Sequence, residues 1–116
     1  MKTDLHNSCK VVHALTAAAA GTTGTGRSSD IIDRKGYNGV ELLLHYGTAT
    51  TTGYAVAVVV KEGDATGSMT SVADADLLGT EALAGLAAQA TARTIGTDLN
   101  VAKRIGYVER KRYVKV

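Results

Sequence analysis

Apolar and polar positions alternate most clearly in three parts of this chain. In GVELLLHYG, Val40, Leu42, Leu44 and Tyr46 fall on one face and Glu41, Leu43 and His45 on the other, the two-residue period of a strand. In YAVAVVVKE, Tyr54, Val56, Val58 and Val60 share a face and Ala55, Ala57 and Val59 the opposite one. Apolar residues on both sides place such a strand in the middle of a sheet or against another element or subunit. The Thr-rich loop Thr48 to Gly53 between these two strands predicts a hairpin. The closing VAKRIGYVERKRYVKV, Val101 to Val116, reads as two short strands joined by a charged turn at Glu109, Arg110 and Lys111. Within it, Val101, Ile105 and Tyr107 separate from Lys103 and Arg104. Its Tyr113–Val116 run still alternates, predicting an open sheet edge that another chain covers or pairs with.

Weaker signals fill the rest. Lys10 to Leu15 is a first candidate strand, and Ile31 and Ile32 predict a brief pairing. Gly21 to Ser29, GTTGTGRSS, has the composition of a mobile loop. Residues 1–9 and 21–30 are thus expected to be extended or mobile. Gly63 to Ser71 reads as a turn region. From Ala82 to Ala92, Leu83, Leu86, Ala87 and Ala90 suit one side of a short helix. Gly85, Thr91 and Thr94 leave an extended path open there as well.

Composition turns these elements into a fold class. A chain of 116 residues is one domain, residues 1–116, able to bury about two thirds of its unfolded surface without a staple. Its apolar fraction of 45% is carried by Ala and Val, with no Phe or Trp and five Tyr. Small β-branched side chains suit two sheets packed face to face better than a helical bundle. The expected fold is all-β, an antiparallel β-sandwich with long Gly/Thr-rich loops and room for one short helix. The absence of Pro removes any sign of a rigid interdomain spacer.

Net charge is +2, too little for a dedicated nucleic-acid binder, although Lys103, Arg104, Arg110, Lys111, Arg112 and Lys115 face a single Glu109 at the C-terminal end. Such a basic hairpin can grip phosphate or can carry edge charges that discourage aggregation. Cys9 is the single cysteine, which excludes an internal disulfide framework and fits a reducing compartment. His13 breaks the apolar run Val11 to Ala20, and Asp4, His6 and Asn7 spoil the basic segment an export signal needs. No run reaches the roughly 20 apolar residues of a membrane-spanning helix.

Candidate chemistry is sparse. Cys9 and His13, with His6 and His45, suggest a metal, but on a strand positions four apart lie about 13 Å from each other and cannot share an ion. Asp74 and Asp76 form a carboxylate pair without the rest of a calcium loop. There is no GxSxG elbow, no GxGxxG and no phosphate-loop lysine. The expectation is a protein with no catalytic, cofactor or metal site.

Taken in order, DLHNSCKVVHAL, DRKGYNGVELLLHYG, VADADLLGTE and KRIGYVERKRYVKV resemble a widespread group of small tailed-phage virion proteins. The matching residues are Asp4, Leu5, Lys10, Val11, Val12, Ala14 and Leu15, then Lys35, Gly36 and Tyr37, then Asp76, Leu77, Gly79 and Thr80, and finally Arg104 to Val108 and Lys111 to Val116. The resemblance implies a capsid decoration, or cement, protein that is not an enzyme. It implies a jelly-roll-like sandwich, commonly a homotrimer, made in the host cytoplasm and set on the outside of the phage head across junctions of the major capsid protein. The Ala-rich segment 82–92 and the end at Val116 depart from the scheme. On this expectation Lys10, Val11, Val12, Arg27, Arg110, Lys111 and Arg112 are the candidate capsid or subunit contacts. A head-tail connector or tail component is the alternative, and a carbohydrate- or nucleic-acid-binding β module a further one, disfavoured by the shortage of aromatic platforms.

Overall fold

In the computed structural model, residues 4–17, 26–48, 52–88 and 101–116 are described. Their strands are, in chain order, β1 (Ile32–Asp33), β2 (Val40–Tyr46), β3 (Lys61–Ala65), β4 (Ser68–Ser71), β5 (Leu77–Leu78), β6 (Val101–Tyr107) and β7 (Tyr113–Lys115). Two one-turn helices, α1 (Leu5–Ser8) and α2 (Glu81–Ala84), and a 3-10 turn at Asp74–Asp76 complete them. The strands form two antiparallel sheets, ordered β1-β7-β3-β4 and β2-β6-β5. The fold is therefore all-β. Its described strands are divided four and three, whereas a jelly roll has eight.

The alternation at 40–46 is realised residue for residue. β2 runs against β6 in an unbroken register from Val40 opposite Tyr107 to Tyr46 opposite Val101. This turns Leu42 and Ile105 inward and leaves Glu41, Leu43 and His45 exposed. The core joins Leu42, Leu77, Ile105 and Tyr107 from one sheet to Val60, Val72 and Val114 from the other side, with Val58 and Ala84 between elements. Tyr46 anchors α2 by donating its hydroxyl to the Ala84 carbonyl at 2.8 Å.

The expected hairpin of 40–46 with 54–62 does not form. Val58 and Val60 are buried, as the inward face requires, but Ala55, Ala57 and Val59 are exposed rather than covered. Residues 54–60 make one isolated bridge, Val56 to Leu86, and regular pairing starts only at Lys61. The backbone is committed elsewhere: the Val60 N–H donates to the Glu81 carboxylate at 2.6 Å, and the Val60 carbonyl accepts from Val72 N–H at 3.0 Å. The Gly63–Ser71 stretch, expected as a turn, instead supplies the β3–β4 hairpin. Its register shifts between Glu62 and Ala65. There a Cβ on Gly63 would lie 2.3 Å from the Ser68 carbonyl oxygen.

Both C-terminal strands form, yet not as a hairpin with one another. β6 lies in the three-stranded sheet, and β7 lies between β1 and β3 in the other. Residues 108–112 thus carry the chain from sheet to sheet, and the final strand is interior rather than an open edge. Ser29, within the expected mobile loop, is buried; its N–H donates to the Val116 carbonyl at 2.7 Å. Residues 26–28 of that loop are exposed, while 21–25 lie outside the described residues, as do 49–51 of the Thr-rich loop and 89–100.

The expected strand at Lys10–Leu15 is also absent. This segment is irregular and mostly exposed. The Asp30 N–H ties it to the body by donating to the Ala14 carbonyl at 2.7 Å. Just before it, Asp4 starts α1 by accepting from the Asn7 N–H at 3.3 Å and from the Asn7 side-chain amide, which places one helical turn within residues expected to be extended. The Ala-rich segment splits its two alternatives. Thr80 caps α2, accepting from Leu83 N–H at 3.1 Å, and the chain then turns extended so that Leu86 meets Val56.

Candidate functional site

The densest polar arrangement lies where the chain passes from β6 to β7. Asp33, at the end of β1, and Arg34 begin a turn closed by the Tyr37 N–H donating to the Arg34 carbonyl at 2.9 Å. Gly36, at φ +88°, occupies the position where that turn needs a residue without a Cβ. This holds Arg34 against the β6–β7 crossover. Its guanidinium lies 5.6 Å from the Tyr107 ring centre and donates to the carbonyls of Tyr37, at 3.0 Å, and of Lys111. Arg112 grips Asp33 with two nitrogens, at 3.0 and 2.8 Å. Lys111 reaches Asp64 at 2.6 Å. The buried Tyr107 donates its hydroxyl to Glu62 and accepts the Lys111 N–H at 3.2 Å.

These contacts set the protonation of the corner. The Arg112 hydrogen bond, helped by the Lys35 N–H, holds the Asp33 carboxyl down to about 2. Lys111 lowers Asp64, and Asp64 raises Lys111. Burial, and then the Glu62 carboxylate, push the Tyr107 hydroxyl upward. Asp74 and Asp76 lie in a 3-10 turn, and the carboxyl that Asp76 meets is Glu109, from a distant segment. Desolvation and a hydrogen bond with Glu109 raise Asp76, while the Arg110 N–H lowers Glu109. A shallow depression of about 310 Å³ beside this corner is lined by Glu62, Asp64, Ser68, Thr70 and Lys111 among others. Its cation is already taken up by Asp64.

Of the candidate contacts, Arg110, Lys111 and Arg112 come together in this crossover, but Lys111 and Arg112 are spent on internal ion pairs. They serve the joint between the sheets. Arg110 and Arg27 are exposed. Lys10, Val11 and Val12 lie on the N-terminal arm, all exposed, Val11 at 95%. Sequence reasoning missed Asp33, Arg34, Glu62, Asp64 and Tyr107 as members of the corner. The available signal was the excess of positive charge at 110–112, which called for acids elsewhere in the chain.

A second surface lies on the outer face of the three-stranded sheet. Leu43 is 80% exposed there, between Glu41 and His45 on β2. Arg104, opposite Leu43 on β6, approaches Glu41 at 3.8 Å. Leu78 is also exposed and borders a shallow depression of about 320 Å³ with Glu41, Gly79 and Arg104.

Among the described residues no group of three or more His, Cys, Asp or Glu side chains is placed to hold a metal ion, and no helix is long and apolar enough to cross a membrane. Cys9 and His13 sit on the irregular, exposed arm. Comparison of the chain with protein families, with curated proteins and with solved structures finds no match in any of the three.

Proposed function

We propose that this chain is a structural virion protein, a decoration or cement protein that binds the outside of an assembled phage head and fastens neighbouring major capsid proteins through its N-terminal arm. The observation that carries this reading is the arm itself. Lys10–Leu15 has the sequence of a strand, with Val11 and Val12 exposed, and lies outside both sheets. A β-branched segment held in water beside a completed sandwich is suited to adding to the sheet edge of another protein. Full burial of one valine contributes about 1.5–3 kcal/mol, a modest energy that many copies on one shell would multiply. Binding the assembled lattice but not its separated subunits shifts the equilibrium toward the intact shell by mass action.

Support also comes from the resemblance to small tailed-phage virion proteins, whose motifs here build the joint between the sheets. With Lys111 and Arg112 tied internally, the contact surface contracts to Lys10, Val11 and Val12 on the arm, with the exposed Arg27 and Arg110 as further candidates. The test is imaging of particles of the phage that encodes the chain. Copies distributed over the outer surface of the head, with the arm in contact with capsid protein, are the expected result. A ring confined to one vertex would assign the chain to a connector or tail instead, and heads that lack it would overturn the reading.

A further inference from the structure

The outer strands of the two sheets are β1, β4, β2 and β5, and they are protected unequally. β1 and β5 have two residues each and β4 has four. β2 presents seven residues in a register with β6 that has no bulge. Natural sheets blunt an exposed edge with short strands, charged side chains (lysine above all), prolines or bulges; VELLLHY has no lysine, proline or bulge, and its one carboxylate, Glu41, is met by Arg104 at 3.8 Å. Among the described residues β6 is the one strand paired with β2.

The same strand is complementary to itself. When two copies are laid antiparallel with Leu43 opposite Leu43, Leu42 faces Leu44, Val40 faces Tyr46 and Glu41 faces His45, each pair occurring twice by symmetry. No like charges meet, the apolar residues meet apolar ones, and each carboxylate finds an imidazole. Directly opposed side chains on one face lie about 4.5–5.5 Å apart between Cβ atoms, so Leu43, 80% exposed in the single chain, would be covered by its own counterpart. Arg104, 3.8 Å from Glu41, continues that row of opposite charges inward.

From the edge left open among the described residues and the self-complementary register together, we infer that the β2 edge binds a second copy of this chain, joining two three-stranded sheets into one of six strands about a twofold axis through Leu43. Such an interface is isologous and closes at two copies. It is independent of the capsid reading, and the threefold arrangement implied by the family resemblance cannot be built from it alone.

The test is the mass of the full chain in solution by sedimentation equilibrium, from micromolar to millimolar concentration. The expected mass is twice the 12.0 kDa of one chain; a single-chain or three-chain mass across the whole range overturns the inference. Leu43→Lys sets two ammonium groups face to face at a position whose exposure keeps the fold intact, verifiable by circular dichroism. Dimerisation should weaken by at least about tenfold, or 1.4 kcal/mol, and an unchanged dissociation constant would also overturn it. Register is tested in a Cys9→Ser background. Leu43→Cys should form an interchain disulfide on mild oxidation, whereas Glu41→Cys, displaced from its symmetry mate by four residues along the strand, should not. Equal cross-linking of both variants rejects the register.

Discussion

Glu81 does the work of a backbone group. It stands at the first position of a one-turn helix, yet its carboxylate accepts from the N–H of Val60, a residue with no exposed surface. Removing that acceptor strands a buried donor, which costs about 1–3 kcal/mol. Glu81→Ala should therefore lower unfolding stability by that amount in a urea titration, while Glu81→Gln, which retains an acceptor oxygen, should recover much of it. Asp33 illustrates a different dependence. Its ordinary carboxyl pKa of about 3.9 falls to about 2 in the folded chain beside Arg112. The stabilisation from this pair is thus complete above about pH 4 and disappears as pH falls toward 2. Melting temperatures of wild type and Asp33→Asn should differ most above that range and converge below it. A gap that stays constant down to pH 2 would show that the ion pair does not set the difference. Asp64, held down by Lys111, titrates in the same direction and remains in both proteins, so some acid sensitivity persists in the variant.

Among the elements, the β3–β4 hairpin depends on a missing side chain. Gly63 is buried at the register shift, where a methyl group would meet the Ser68 carbonyl oxygen at 2.3 Å, and forced overpacking typically costs about 1–3 kcal/mol. Gly63→Ala should accelerate amide exchange along β4 while the β2–β6 ladder keeps its protection; equal loss in both sheets would show that the hairpin is not a separable unit. The elements also show what a one-dimensional pattern carries. β2 was legible because its inward face is apolar throughout while Glu41 and His45 mark the outward one, and β6 and β7 because short runs of β-branched and aromatic residues flank the charged turn at 109–111. Their partners were not, since alternation fixes a face and leaves the neighbour open. The same pattern suits a strand paired locally and one that crosses to the other sheet, as β6 and β7 do. Segment 54–60 misled through its alanines, which tolerate water as readily as burial. Lys10–Leu15 misled because strand propensity is realised only through a backbone ladder, and the bond from Asp30 N–H to the Ala14 carbonyl does not start one. The candidate site was legible in part: the run 110–112 was visible as charge, but the acids that neutralise it, Asp33 and Asp64, come from segments far away in sequence.

For the molecule as a whole, the arm and the sandwich are separable in energetic terms. Val11, Val12 and Leu15 are exposed, and the buried core of Leu42, Val58, Val60, Val72, Leu77, Ala84, Ile105, Tyr107 and Val114 draws on none of the described residues before Ile32. Surface changes away from caps, cores and buried polar groups usually remain within about 0.5 kcal/mol. Deleting residues 1–13 retains the Ala14 carbonyl that accepts from Asp30, so the shortened chain should melt within a few degrees of the full one. Attachment should behave otherwise. If the arm supplies the strand that a capsid edge accepts, the shortened chain loses binding to heads although its fold persists, and Val11→Asp with Val12→Asp reproduces the loss without shortening the chain. A fluorophore on Cys9, exposed and two residues from Val11, reports the event directly in the full protein: its anisotropy should rise when heads are added and stay unchanged in the double aspartate variant. Heads that bind the shortened chain as tightly as the full one would move the adhesive surface off the arm and onto the sandwich, where Arg27 and Arg110 become the residues to substitute next.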